Sequence, residues 1–231
     1  MNDTHAGPPE SFLESIQSLT GKSVPDIRKA VENLWHQFQG QEEVLPQWIE
    51  PLWARATAHW EWRFALSLLA GALAGVSGWG MAFLRETVSK DPDWRVQEAL
   101  AKGLDWCCHL RGFEACVPLL RSWLRDADAN VRRAAAEGPR VWTKRSYFGT
   151  HPEVALELLG LAKADPEEYV RKAVGNAVSD IGKTHPGLVL ETLRQWRAHA
   201  DPAGLRVIRR ACRSLLKSHP REVAELLEAS G

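Results

Sequence analysis

The sequence lacks the features that mark membrane and secreted proteins. No apolar run reaches membrane-spanning length, and residues 1–9 contain no basic region followed by an apolar stretch. The four cysteines are not spaced like a disulfide framework. We therefore expect a cytoplasmic protein that does not bind membranes.

Motifs for cofactors and for common covalent chemistry are also missing. The sequence contains no phosphate-binding loop and no nucleophile–base arrangement. A zinc site would have to use Cys107, Cys108, His109 and Cys116, which lack the usual paired-ligand spacing. The favoured interpretation is that the cysteines are small buried residues, and we expect no metal and no cofactor.

Net charge is zero, which by itself argues against a nucleic-acid partner. The charge is unevenly distributed, however. Residues 1–120 carry 10 Lys and Arg against 15 Asp and Glu, a net charge of −5, whereas residues 121–231 carry 19 against 14, a net charge of +5. Positive charge is thus concentrated in the C-terminal half.

The C-terminal two-thirds of the chain contain a repeated pattern. Similar segments open at Asp91, Asp126, Asp165 and Asp201. An anchoring valine recurs 35 and then 39 residues apart, and His-Pro pairs recur every 34 residues from His151. A period of this length with helical apolar spacing is typical of stacked helical pairs. We predict an all-α, HEAT-like helical-repeat solenoid (an α-α superhelix) with a basic concave face, in which residues 1–10 are disordered and residues 11–231 form a single domain.

Apolar spacing and Gly and Pro positions predict where the helices lie. The His-Pro pairs indicate helix starts, because proline suits the first turn. Residues 142–150 are predicted to form an aromatic loop. The predicted helices cover residues 11–19, 24–38, 52–73 (one helix or two, ended by the glycines at 71, 75, 78 and 80), 81–88, 94–109, 113–124, 130–142, 152–162, 168–184, 186–199, 204–218 and 220–229.

The second helix of each repeat carries two stripes of side chains. The apolar stripe, a predicted core, comprises Val96, Leu100, Leu104, Val131, Ala134, Ala135, Val170, Val174, Ala177, Ile181, Ile208, Ala211 and Leu215. The polar stripe comprises Glu98, Lys102, Asp105, His109, Arg133, Glu137, Arg140, Lys144, Lys172, Asn176, Ser179, Lys183, Arg206, Arg210, Arg213 and Lys217. Stacked repeats would bring the polar stripe together as one surface, which is strongly cationic at its C-terminal end.

A cationic surface of this kind is the electrostatic footprint of a phosphate-binding protein. The alternative is a solvated face with ion pairs such as Glu98–Lys102 and Arg133–Glu137. The last four basic residues of the stripe have no acid on their own stripe, which favours nucleic acid. Asp180, adjacent to the stripe, is predicted to form a salt bridge or a cap.

Several segments, taken in order, resemble one protein family. They are Val24–Arg28, Leu52-Trp53 with His59–Arg63, Trp94–Glu98, Asn130–Arg133 with Glu137-Gly138, and Tyr169–Asn176. This set resembles the bacterial HEAT-like DNA alkylation repair proteins, which include the alkylpurine DNA glycosylases AlkC and AlkD. The repeat motif alone has little specificity, whereas the ordered set is more specific.

The resemblance implies a site that excises cationic alkylpurines. Matched by position, Trp94 lies where the family has a first Trp, Glu98 where it has an Asp, and Arg133 where it has an Arg. Asn176 occupies the place of a second Trp, for which Trp142 is a candidate substitute. Glutamate keeps the charge of the aspartate but moves it by a methylene, and the lost aromatic is a larger departure.

We therefore expect a monomeric DNA-repair protein that binds duplex DNA and excises N3- or N7-alkylated purines. The alternatives are a non-catalytic binder of damaged or branched DNA and a protein-interaction scaffold. The candidate catalytic residues are Glu98 and Trp94, with Asp105 as the reserve carboxylate. The candidate DNA-binding residues are Arg133, Arg140, Lys144, Arg145, Lys172, Asn176, Lys183, Arg206, Arg210, Arg213 and Lys217.

Overall fold

A computed structural model describes residues 7–228, in which all regular structure is helical. The helices are α1 (Glu10–Gln17), α2 (Val24–Gln37), α3 (Leu45–Arg55), α4 (Trp60–Ala74), α5 (Gly78–Glu86), α6 (Trp94–Arg111), α7 (Val117–Trp123), α8 (Ala129–Glu137), α9 (Ser146–Thr150), α10 (Pro152–Gly160), α11 (Glu168–Gly182), α12 (Pro186–Arg197), α13 (Pro202–Ala211) and α14 (Pro220–Glu228). Short 3-10 turns cover Val88–Lys90, Trp142–Lys144 and Cys212–Ser214. None of the described helices combines the length and apolar character needed to cross a membrane.

Some sequence predictions need correction. Of the segment predicted to be disordered, residues 1–6 lie outside the described residues, and Glu10 already begins α1. Gly71 lies inside α4, and Gly78 and Gly80 lie inside α5, so of the four glycines only Gly75 caps a helix.

Two predictions in the C-terminal half were also wrong in detail. The helix predicted over residues 130–142 ends at Glu137, because Pro139 has no backbone N–H to continue the hydrogen-bond ladder. The predicted loop over residues 142–150 contains a 3-10 turn and α9. Its aromatic residues Trp142 and Phe148 are fully buried and pack against each other, with ring centroids 4.7 Å apart. The segment is therefore part of the core.

The chain divides into two compact units, residues 1–111 and 112–231. In the first unit, α4 contacts every other α-helix. Residues 64–74 of α4 are all buried. This helix is the centre of the unit, which explains why its sequence is apolar on all sides rather than on one face.

The contact between α4 and α6 depends on two glycines. A Cβ atom on Gly71 would lie 2.3 Å from the Cα atom of Gly103. A Cβ atom on Gly103 would in turn lie 3.0 Å from the backbone oxygen of Ser67. The absence of side chains lets the two backbones touch, and this close packing fixes the position of α6.

In the second unit, α11 contacts α8, α10, α12 and α13. Every member of the predicted apolar stripe is buried, in both units, and so are all four cysteines. The His-Pro prediction is confirmed as well: Pro152, Pro186 and Pro220 are the first residues of α10, α12 and α14.

The repeated aspartates shape the turns before the second helices. Asp126 and Asp165 each accept a hydrogen bond from the backbone N–H two residues later, at 2.8 and 2.9 Å. Asp165 also pairs with Arg132, whose Nε lies 2.5 Å from Oδ2. Arg132 Nη1 donates to the backbone oxygens of Asp126 and Ala127, both at 2.9 Å. One guanidinium thus ties two consecutive repeats together.

Gly71→Ala should lower the free energy of unfolding by about 1–3 kcal/mol, because the new methyl group would overlap the backbone of α6. Urea denaturation followed by circular dichroism would measure this. Gly78→Ala is the matched control, since a Cβ atom there meets nothing within 4 Å. It should be neutral or stabilising by up to about 1 kcal/mol. Equal effects of the two substitutions would contradict the packing argument.

Candidate functional site

Trp94 is the most exposed large apolar side chain of the described residues, with 71% of its surface accessible. It is the first residue of α6. An exposed indole leaves apolar area in water, so its position is not explained by packing. This favours a binding role over the core role that a tryptophan usually has.

The turn around Trp94 is held by polar contacts of its neighbours, in which the Trp94 ring takes no part. Asp93 accepts hydrogen bonds from Arg95 Nε at 2.9 Å and Nη2 at 2.6 Å. These bonds hold the pKa of the Asp93 carboxyl below its usual value. The Arg95 guanidinium in turn lies 4.3 Å from the centroid of the Trp60 ring. Gln97 Nε2 donates to three backbone oxygens of residues 88, 89 and 91.

The two candidate carboxylates are also on α6. Glu98 is half-buried and lies one helical turn after Trp94, which places both side chains on the same face of the helix. Asp105 is half-buried and lies nearly two turns further on. Along α6, Trp94 and Glu98 therefore lie closer to each other than either lies to Asp105.

In the second unit, carboxylates hold several of the candidate cations. Asp180 is buried and pairs with Arg140 Nε at 2.6 Å and with Lys183 Nζ at 2.5 Å. Arg140 also pairs with Glu137 at 2.8 Å. Burial raises the pKa of Asp180, but the hydrogen bonds from Lys183 and Arg140 outweigh it and the net pKa is lowered. The predicted salt-bridge role of Asp180 is confirmed.

Lys172 is similarly paired. Its Nζ lies 2.7 Å from Glu168 one turn earlier, and this contact lowers the pKa of the glutamate. Both side chains line a small cleft of about 70 Å³ between α11 and α13. Arg206 and Arg210 line the same cleft from the side of α13. The cleft is thus mainly cationic.

The basic residues near the C-terminal end of the stripe differ from these. Arg206, Arg210, Arg213 and Lys217 form no ion pair with any residue in the part of the chain that the structure describes. Two of them instead share one neutral acceptor: Asn176 Oδ1 accepts from Arg210 Nη1 at 3.3 Å and from Arg213 Nη2 at 2.5 Å.

The remaining candidates lie on other elements. Arg133 is half-buried on α8, and Lys144 is exposed in the 3-10 turn that follows. Arg145 lies with its guanidinium 5.5 Å from the Phe113 ring centroid. Trp142 cannot replace an aromatic at position 176, because it is fully buried and its indole N–H donates to Ala136 at 3.2 Å.

The sequence reasoning misplaced one residue of this region and missed another. Ser179 was placed on the polar stripe but is buried. Gly175 was not singled out, although a Cβ atom there would lie 2.9 Å from Cδ of Arg210. A glycine in the middle of a predicted helix was the available signal, since helix propensity disfavours it without a packing reason.

The comparisons with known proteins agree with this architecture. Residues 2–224 match the family model described as DNA alkylation repair enzyme. The chain belongs to the DNA alkylation repair enzyme family. The fold is accordingly the all-α helical-repeat fold of that family, as the sequence predicted. A comparison with curated proteins gives no match.

Solved structures with 27–31% sequence identity are similar to this family member. The protein smu.31 from Streptococcus mutans UA159 is 31% identical, with 88% of this chain and 92% of that one covered and a TM-score of 0.64. AlkD2 from Streptococcus mutans is 29% identical, with 92% and 93% covered and a TM-score of 0.64. The Pseudomonas fluorescens alkylpurine DNA glycosylase AlkC, bound to DNA containing an abasic site analog, is 27% identical, with 73% and 56% covered and a TM-score of 0.51.

Removing the carboxylate at position 180 should make stability less dependent on pH. Because the folded pKa of Asp180 is lowered, its stabilisation is present above the unfolded pKa of about 4 and is lost as the pH falls below it. Asp180→Asn should therefore cost about 1–2 kcal/mol at pH 7 and progressively less below pH about 4. Urea titrations from pH 7 to pH 3 would measure the difference. A difference that does not change with pH would contradict this assignment.

Proposed function

We propose that this protein binds duplex DNA and excises cationic N3- or N7-alkylated purines. Membership in the DNA alkylation repair enzyme family supports the DNA-repair role. The observation that carries the catalytic part is the 71% exposed Trp94 one helical turn before Glu98. An aromatic face next to a carboxylate suits a substrate that carries positive charge.

The chemistry of such a substrate explains why these two groups suffice. A purine alkylated at N3 or N7 is already cationic, so it leaves without being protonated by the enzyme. Water adds to C1′ of the deoxyribose, and the bond from C1′ to the base breaks. The electron pair of the broken bond stays with the departing purine and neutralises it. Positive charge develops on the sugar in the transition state, where the Glu98 carboxylate stabilises it. The proton of the attacking water passes to Glu98 or to solvent.

The second unit supplies positive charge for the DNA backbone. Phosphate contacts position a protein on a duplex without reading its sequence. Arg206, Arg210, Arg213 and Lys217 are suited to this role because none of them forms an ion pair with a carboxylate of the described residues. Arg133 and Lys172 are proposed to hold phosphates that flank the lesion. The single domain, the basic concave face, the monomeric state and the cytoplasmic location stay predictions.

One observation favours a non-catalytic alternative, in which the protein binds damaged or branched DNA without excision. The place of a second aromatic is taken by Asn176, whose amide oxygen is engaged by two arginines. Trp142 is buried and cannot supply the missing ring. A site with one aromatic would hold the lesion less firmly.

The catalytic proposal predicts that Glu98→Gln abolishes most base release. Duplex DNA containing N7-methylguanine or N3-methyladenine is incubated with the protein, and the free base is measured by chromatography. Loss of the carboxylate should slow release about 100- to 1,000-fold, the range found when one electrostatic stabiliser is removed. Trp94→Ala should also slow release, since it removes the aromatic face.

Asp105→Asn is the matched control, because it removes a half-buried carboxylate from the same helix. It should leave release within a few-fold of the wild type. If Asp105→Asn were the inactive variant, the reserve carboxylate would be the catalytic one. Salt-sensitive DNA binding without any release would replace the glycosylase with the non-catalytic binder.

A further inference from the structure

The amide of Asn176 organises two arginines from the following repeat. Its Oδ1 atom accepts from Arg210 Nη1 at 3.3 Å and from Arg213 Nη2 at 2.5 Å. Because both nitrogens bond the same oxygen, they are no further apart than the sum of these distances, about 6 Å. Arg213 Nε also donates to the backbone oxygen of Arg210 at 3.2 Å. The two guanidinium groups are therefore held close together.

Gly175 leaves the space through which the Arg210 side chain reaches Asn176. A Cβ atom at position 175 would lie 2.9 Å from Cδ and 3.0 Å from both Cβ and Cγ of Arg210. The aliphatic stem of the arginine thus runs directly over the backbone of α11. Gly175 is buried and Arg210 is half-buried. Two consecutive residues of α11 hence act on one arginine, one by leaving space and one by accepting a hydrogen bond.

The acceptor is neutral, which distinguishes this pair from its neighbours. Arg140 and Lys183 share the carboxylate of Asp180, and Lys172 pairs with Glu168. A carboxylate cancels the charge it binds, whereas an amide oxygen orients a guanidinium and leaves its charge intact. Two like charges held this close repel each other, and an external anion would relieve that repulsion.

We propose that Asn176 is a positioning residue that holds Arg210 and Arg213 together as a binding site for one phosphodiester group of duplex DNA. This inference rests on the proposed function and deepens it. Two adjacent guanidinium groups match the several acceptor oxygens of a single phosphate. The cationic cleft next to the pair, lined by Lys172 and Arg206, continues the positive surface for the neighbouring backbone.

Asn176→Asp provides the sharpest test, because it keeps the shape and the acceptor but adds a negative charge. The carboxylate should bind both arginines more strongly than the amide does and should not reduce stability. It should also neutralise them towards DNA. We expect a melting temperature equal to or above that of the wild type, together with roughly tenfold weaker binding of duplex DNA at 100 mM NaCl.

The salt dependence of binding tests how many phosphates the pair contacts. Dissociation constants for an unmodified 20-base-pair duplex are measured by fluorescence anisotropy between 50 and 300 mM NaCl. Loss of one phosphate contact should reduce the slope of log K against log salt by about 0.9. We expect this reduction for Asn176→Asp and for Arg213→Ala, and no larger one when the two are combined, because they act on one phosphate.

Arg209→Ala is the matched control, since Arg209 is exposed on α13 next to Arg210 and lies outside the polar stripe. It removes the same charge and should change the slope by much less. Equal effects of Arg209→Ala and Arg213→Ala would overturn the site, because charge alone would then explain the result. A slope reduction of about 2 for Asn176→Asp would assign each arginine its own phosphate and would overturn the shared site.

Base release by the same preparations separates this inference from the proposed function. If Asn176→Asp and Arg213→Ala bind DNA like the wild type while the wild type releases base, only the phosphate site is overturned. If both variants lose affinity and slope while the wild type releases no base, the phosphate site stands and the catalytic part of the proposed function fails.

Discussion

A nearly buried ion pair between an arginine and a repeat aspartate is the contact on which the helical stacking depends in both units. In the second unit, Arg132 binds Asp165 through both Nε and Nη2 and also binds two backbone oxygens of the preceding turn. In the first unit, Arg63 binds Asp91 and the backbone oxygens of Ala56 and Thr57 in the same manner. A buried charge is tolerated only when it is paired and hydrogen-bonded, so each guanidinium fixes the turns around it.

The same physical rule separates structural cations from those available for a ligand. Arg132, Arg140 and Lys183 are held by aspartates that are themselves almost buried. Arg210 and Arg213 are held instead by an amide, which carries no charge to cancel theirs. The net charge of +5 in residues 121–231 therefore does not show which cations are paired with a carboxylate and which are not. What matters for a phosphate is which partner each cation already has.

Much of the fold could be predicted because it follows from local periodicity. The predicted apolar stripe is buried throughout, and the His-Pro pairs begin helices. Boundaries were less accurate where tertiary packing decides them. Gly71 looked like a helix terminus but lies inside α4. The glycine serves packing there, because its missing side chain lets α6 approach. Residues 142–150 looked like a loop, yet Trp142 and Phe148 form part of the core.

The sequence by itself determined the helical class, the repeat, the family resemblance and the positions of the candidate catalytic residues on one helix. These properties depend on spacing along the chain, which the sequence contains in full. Only the tertiary structure decided that Trp94 is exposed, that Trp142 is buried and that Asn176 accepts from two arginines. Such facts depend on which side chains meet although they lie far apart in the sequence. Arg210 and Arg213, which follow Asn176 by 34 and 37 positions, both donate to its amide oxygen because the chain packs closely against α11 at Gly175.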